Sequence, residues 1–169
     1  MDRETRLRRV CILCCSFIRN YAYYEAGWDG KTSKANNDYL KTVQGNFIDM
    51  SVLEWLKLFG DYKDKHHWKK IIYELDSFKK EMLSNSKITE EELSSCRETF
   101  KAYRDKFLAH LDSDEVMNIP EFDIPLSVVK FYYNKIAVEL GASGLRNLPE
   151  DIEKYYQKCF SESEEYFGI

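Results

Sequence analysis

Apolar residues recur along this chain at intervals of three and four, the spacing that places side chains on one face of an α-helix. The pattern predicts three helices in the first half of the chain, over residues 2–27, 38–59 and 66–84. We expect all three to be core helices. The inward face expected of the second helix comprises Leu40, Val43, Phe47, Met50, either Leu53 or Glu54, and Leu58.

A fourth helix has the clearest start signal in the sequence. Thr89 and Glu92 have the spacing of a capping box, in which each side chain bonds to the backbone amide of the other. After an irregular segment with two prolines, the pattern predicts a fifth helix over 126–140 and a sixth over 149–167. The predicted fold is therefore an all-α bundle of four long helices plus two additional C-terminal helices, in a single domain over residues 1–169. The fourth helix should turn Leu93, Cys96, Phe100, Tyr103, Phe107 and Leu111 inward.

The composition agrees with an all-α domain and argues against a zinc site. The chain has 169 residues, of which only 7 are Gly and 3 are Pro, so it offers little turn chemistry for a many-stranded sheet. Cys11, Cys14 and Cys15 are expected to be buried, reduced thiols of the first helix, because no second Cys pair or spaced His pair completes a zinc site. We therefore expect no metal and no cofactor.

The N-terminal apolar stretch is too short to span a bilayer and lacks the small-residue cleavage site of a signal peptide. Together with reduced cysteines, this predicts a cytoplasmic protein that makes no membrane contact.

Charge is unevenly distributed along the chain. The formal net charge is −4, and residues 149–169 hold six acids and two lysines, a balance of −4, so residues 1–148 sum to zero. We expect the acidic C-terminal helix or tail to be a solvated end, with folding over a basic site as the alternative. Basic clusters at 6–9 and 63–70 are typical of solvated helix ends, and His66 and His67 either begin the third helix or contact RNA.

The candidate chemistry lies in residues 102–112, AYRDKFLAHLD, at the end of the fourth helix. An imidazole such as that of His110 can move the ribose 2′-OH proton near neutral pH, while the guanidinium of Arg104 neutralises charge that develops on the phosphate. Because DNA lacks the 2′-OH, this chemistry implies RNA. Arg97 and Lys101 share a helix face with Arg104, and we expect them to guide the phosphates.

Helix geometry limits this hypothesis. On a continuous helix Arg104 and His110 are roughly 120° apart in azimuth and about 9 Å apart along the axis, so they do not converge. Either the helix loosens near Ala109, or two copies of the segment meet across a two-fold axis. The structural alternatives are that Arg104 pairs with Asp105 or another acid, and that His110 caps the helix C-terminus.

Residues 103–112, YRDKFLAHLD, resemble the motif of the HEPN superfamily, an Arg followed by a polar residue and, a few residues later, a His. Residues 2–140 are similar to the branch related to AbiU-type phage abortive-infection proteins, in which a helix similar to residues 52–72 precedes the motif helix. Matched residue by residue, Arg104 takes the motif Arg, Asp105 the polar position, where it would orient Arg104 or His110, and His110 the motif His.

The resemblance implies a homodimer with the active site at its interface and metal-independent endoribonuclease activity. It further implies a role in phage defence or in a toxin–antitoxin system, with a cognate antitoxin protein as a partner. The alternative is a non-catalytic HEPN dimer that acts as a protein-binding or RNA-binding interaction module.

Overall fold

The computed structural model describes residues 2–109 and 118–167. These residues confirm the all-α prediction. They form helices α1 (Arg3–Ala26), α2 (Asp38–Trp55), α3 (Trp68–Ile71), α4 (Leu75–Ser86), α5 (Glu90–Tyr103), α6 (Asp123–Gly144) and α7 (Ile152–Phe167), and the π-helical segments π1 (Leu56–Gly60) and π2 (Arg104–Ala109).

Helix α1 is the centre of the bundle and packs against α2, α6 and α7. It begins where the Asp2 carboxylate accepts a hydrogen bond from the Thr5 amide at 2.8 Å. Its three cysteines are free and buried, as the sequence predicted. Burial raises the pKa of Cys11 and of Cys15 to about 12, so both remain thiols at neutral pH.

A chain of aromatic rings ties α5 to the rest of the core. Tyr21 of α1 stacks on Phe122 at 4.7 Å between ring centroids, and Phe122 contacts Phe100 of α5 at 4.9 Å. Phe100 in turn contacts Trp55 at the end of α2 at 4.7 Å. Because Phe100 is one helical turn before Arg104, this packing fixes the approach of α5 to the candidate site.

The prediction of one helix over 66–84 is wrong, because α3 ends at Ile71 and α4 begins only at Leu75. Ile72 between them is extended, with φ −84° and ψ 134°. The Nη1 of Arg3 donates to the Ile71 carbonyl at 2.6 Å. That carbonyl would otherwise accept the Leu75 amide in a continuous helix, so Arg3 stabilises the break. Residues 52–72 are likewise not one helix.

The inward face expected of residues 38–59 is right at Glu54 and Leu58, which are buried, and wrong at Met50, which is 41% exposed. The other α2 residues buried in the core are Ile48, Val52 and Trp55. Glu54 is buried although its side chain is polar. Its carboxylate accepts hydrogen bonds from Ser16 Oγ at 2.5 Å and from Asn20 Nδ2 at 3.2 Å, so a polar cluster faces α1. Leu40, Val43 and Phe47 lie on a second, partly buried face.

The other helix boundaries differ from the predictions by a few residues, since α6 begins at Asp123 rather than 126 and α7 begins at Ile152 rather than 149. The capping box is confirmed, since Thr89 Oγ1 accepts the Glu92 amide at 3.1 Å and the Glu92 carboxylate accepts the Thr89 amide at 2.7 Å. Helix α6 bends at Gly141, where φ is 64°, at the predicted end of the fifth helix. The acidic C-terminal segment is not the solvated end that we expected, because it forms α7, which packs on α1 and has Tyr156, Cys159 and Phe167 buried. Within the described ranges, no helix has the length and apolar character needed to cross a bilayer.

Candidate functional site

The candidate segment begins where α5 changes into the π-helix π2, at Arg104. A second π-helix, π1, continues α2, and it packs against α5 while π2 packs against α2. Single-turn π-helices are rare and frequently occur at functional sites. Residues 104–109 are π-helical, which agrees with the first of the two alternatives, a helix that loosens near Ala109. His110 lies outside the described residues, so its convergence with Arg104 stays a prediction.

Arg104 is held by two carboxylates. Its Nη1 donates to Asp61 Oδ2 at 2.6 Å, and its Nε donates to Asp105 Oδ1 at 2.8 Å. The hydrogen bond to Asp105, and then that to Asp61, raises the pKa of the guanidinium above its ordinary value. Nη2 makes no hydrogen bond with any described residue, and the side chain is 26% exposed. Arg104 therefore has a fixed orientation and a remaining donor edge.

Tyr103 fixes the backbone on which Arg104 is carried. Its side chain is buried, and its hydroxyl donates to Asp49 Oδ1 of α2 at 2.7 Å. Burial raises the pKa of Asp49, and the hydrogen bond from Tyr103 opposes that rise. The ring of Tyr103 also contacts Phe107 within π2, at 5.4 Å between centroids. The junction between α5 and π2 is thus anchored to α2 by neighbouring side chains.

Arg97 and Lys101, the predicted phosphate guides, share one acidic partner. Arg97 Nε lies 3.3 Å and Lys101 Nζ 3.5 Å from Glu98 Oε1. Arg97 also donates from Nη2 to Ser94 Oγ at 3.0 Å. Arg97 precedes Arg104 by about 10 Å along the axis of α5. The predicted basic stripe therefore exists, but Glu98 offsets one of its charges.

Arg97 also belongs to a cationic pocket that the sequence did not predict. With Lys69 and Lys79 it lines a cavity of about 100 Å³, beside the rings of Phe59 and Trp68. The basic cluster at 63–70 thus reaches α5, although its Lys69 is 10 residues from Lys79 and 28 residues from Arg97 along the chain. Glu90 also lines the pocket and pairs with Lys79. Because three cationic side chains and one carboxylate line the pocket, its net charge is positive.

His67 is buried and directly precedes Trp68 of this pocket in sequence, and its ring stacks on that of Trp68 at 6.0 Å between centroids. It begins α3 as the sequence predicted, since its Nδ1 accepts the Lys69 amide at 3.2 Å. Burial, and then the nearby Lys69, Lys70 and Arg97, lowers the pKa of His67 to about 4. His67 is therefore neutral at physiological pH and serves as a structural residue.

Sequence reasoning missed Asp61, to which it assigned no role at the site. Asp61 and Arg104 are 43 residues apart along the chain. A local pattern contains no information on such a pair, and only the packing of π1 against α5 brings the two together.

The assembled side chains offer a fixed guanidinium, two carboxylates beside it and further cations along α5. Such a set can bind and stabilise a phosphate group. Among the residues that the structure describes, no group of three or more His, Cys, Asp or Glu side chains is arranged to hold a metal ion. Comparisons of the chain with protein-family models, with curated proteins and with solved structures found no match, so they assign it to no family.

Proposed function

We propose that this protein is a HEPN-like, metal-independent endoribonuclease of a phage-defence or toxin–antitoxin system, acting in the cytoplasm as a homodimer. Arg104 and His110 of both copies would line one cleft at the dimer interface. The proposal rests on the motif in residues 103–112 and on one structural observation. Arg104 is oriented by Asp61 and Asp105 while its Nη2 edge makes no hydrogen bond to a described residue.

The proposed reaction needs two proton transfers and one charge stabiliser. The 2′-oxygen attacks the adjacent phosphorus and loses its proton to one His110, and the bond from phosphorus to the 5′-oxygen breaks. A second His110 gives a proton to that leaving oxygen. The products are a 2′,3′-cyclic phosphate and a free 5′-hydroxyl. Arg104 donates hydrogen bonds to the phosphoryl oxygens as negative charge develops on them.

The cations of α5 and of the neighbouring pocket would guide the RNA backbone. Arg97, Lys69 and Lys79 already line one cavity, and Lys101 is one turn further along α5. Each phosphate contact that is lost should reduce the slope of log affinity against log salt by about 0.7 to 0.9. Replacing Arg97 and Lys101 should therefore weaken RNA binding and its salt dependence while the cleavage chemistry continues.

A second candidate function, a non-catalytic interaction module, is favoured by the same ion pairs. Asp61 and Asp105 together offset more than the charge of Arg104, and Glu98 offsets one charge of the basic stripe. A carboxylate beside a phosphate repels it unless it is held by a cation. In this case Arg104 would be a structural residue, and the dimer would bind a protein or RNA without cleaving it.

The experiment that separates the two functions is an RNA cleavage assay in excess EDTA. Wild type is compared with Arg104→Ala and His110→Ala, and Arg146→Ala is the matched control because Arg146 is an exposed arginine outside the candidate segment. All variants are checked for helical content by circular dichroism and for mass in solution. We expect cleavage by wild type and by the control only, with cyclic phosphate or 3′-phosphate ends.

Two results would contradict the nuclease. The first is the absence of cleavage by a folded wild-type dimer across mixed tRNA and mRNA. The second is undiminished cleavage by Arg104→Ala. Growth provides a cellular measurement, since expression of an active nuclease should slow growth and His110→Ala should relieve that slowing.

A further inference from the structure

A groove at the N-terminal end of α2, away from the candidate site at its C-terminal end, is lined mainly by apolar and aromatic side chains. It is formed by α1, the first half of α2 and the end of α7, and its cavity volume is about 470 Å³. This volume is in the range of small-molecule sites. We call it the aromatic groove, and the residues that carry the inference are Tyr23, Tyr39, Phe47, Glu162, Glu165 and Tyr166.

The floor of the aromatic groove is a second apolar face of α2. Phe47 packs edge-on against Tyr23 of α1, at 5.1 Å between centroids, so the two rings have fixed relative positions. At the rim, Tyr39 is 76% exposed and Tyr166 is 69% exposed. Exposed aromatic side chains that together border a cavity are typical of binding surfaces.

The charge of the aromatic groove has one sign. Glu162 and Glu165 lie three residues apart on α7, and no lysine or arginine is among the described residues that line the cavity. The nearby Lys34 pairs with Glu164 at 3.8 Å. Glu165 makes no ion pair with any other residue in the ranges 2–109 and 118–167. Glu162 pairs at 3.6 Å with Lys158, which does not line the cavity, so Glu165 is the groove carboxylate that the described residues leave uncompensated.

We infer that the aromatic groove binds a small organic cation, an ammonium or guanidinium group on an apolar body. The ring faces of Tyr23, Tyr39 and Tyr166 would attract the cation through their quadrupoles. The carboxylates of Glu162 and Glu165 would add Coulomb attraction in a partly desolvated site. The apolar body would lie on Phe47. The same carboxylates repel phosphate, so this ligand class differs from that proposed for Arg104.

The test is an NMR titration of the full chain with three probes of one shape. Phenethylammonium is the cation, 2-phenylethanol is the neutral probe and phenylacetate is the anion. We expect saturable shifts of the backbone amides of residues 39–47 and 162–167 with the cation. The neutral probe should bind about tenfold more weakly, because the attraction to two carboxylates and to ring faces is lost, and the anion should not bind.

Variants complete the test. Glu162→Gln combined with Glu165→Gln should weaken cation binding about tenfold, because both carboxylate charges are lost while the side chains keep their shape. The ion pair of Glu162 with exposed Lys158 is lost as well, so Glu165→Gln alone is measured beside it and should also weaken binding. Tyr166→Ala should weaken it as well, and since Tyr166 is largely exposed the fold is retained. Glu150→Gln, an exposed carboxylate just before α7, is the control and should bind like wild type. Equal binding of all three probes, no saturable shift with the cation, or undiminished binding by the double variant would each overturn the inference.

Discussion

The ion pair between Arg104 and Asp61 makes a quantitative prediction about stability. The two side chains are 26% and 49% exposed, so water and salt screen their attraction. Pairs of this exposure contribute about 0.2 to 1 kcal/mol in double-mutant cycles. The 2.6 Å distance and the fixing of Arg104 by Asp105 place this pair near the upper end, because less side-chain entropy is lost on pairing. We expect a coupling energy of about 0.5 to 1 kcal/mol.

The assay is urea unfolding of wild type, Arg104→Gln, Asp61→Asn and the double variant, followed by tryptophan fluorescence. Trp55 and Trp68 are buried and should report global unfolding. The cycle is repeated in 1 M salt, where the screening length of about 3 Å should reduce the coupling by roughly half. Arg146→Gln combined with Asp61→Asn is the control cycle and should show additivity, because the structure records no contact between these two residues.

A coupling energy below about 0.2 kcal/mol at low salt would refute the reasoning, since it would mean that the two side chains do not meet in solution. A coupling energy above about 2 kcal/mol that salt does not change would also refute the reasoning, because it would mean that the pair is not screened by water and salt. Such a value is typical of a buried pair, which the exposure of Asp61 excludes.

Three further changes test the elements around the site. Tyr103→Phe removes the hydroxyl that donates to Asp49, and it should lower the free energy of unfolding by about 1 to 1.5 kcal/mol in urea titrations that salt barely affects. Arg3→Ala removes the donor to the Ile71 carbonyl together with the ion pair to Glu139, and it should cost about 1 to 2 kcal/mol by thermal unfolding. Glu139→Gln, which changes only the ion pair, should cost less, and Arg3→Lys should rescue part of the loss. Burial raises the pKa of Glu54 above 4.5, so the native state keeps this proton to a higher pH than the unfolded chain. The free energy of unfolding should therefore fall as pH rises through that pKa, and Glu54→Gln should flatten this part of the curve.

Local signals in the sequence predicted the features that local chemistry determines. The capping box at Thr89 and the bend at Gly141 each depend on one residue or on neighbours within one turn. The break between α3 and α4 could not be predicted this way, because it depends on the contact of Arg3 with Ile71, 68 residues along the chain. The burial of Ile48 and Val52 in place of Met50 could not be predicted from spacing alone either, because it depends on the helices against which α2 packs.

The same distinction between local signals and tertiary packing applies to the residues of the candidate site. Arg104 and Asp105 stand out in sequence because they are neighbours in a motif, and the structure joins them directly. Asp61, Asp49 and Lys79 reach the site only through packing between helices, so each is invisible to spacing arguments. The π-helix at 104–109 likewise has no local sequence signature, and it was anticipated only as one way for Arg104 and His110 to approach each other.

One substitution separates a structural Arg104 from one that acts on RNA. A lysine keeps the positive charge and can pair with Asp61, but it lacks the planar fork that contacts two carboxylates and still presents a free edge. In urea unfolding, the Arg104→Lys variant should therefore keep most of the coupling energy with Asp61 that the Arg104→Gln variant loses. If Arg104 stabilises the phosphate through Nη2, the same variant should still fail to cleave RNA, because the lysine has only one nitrogen for both tasks. Recovery of cleavage along with stability would show that a point charge suffices, and the proposed role of the oriented guanidinium would be wrong.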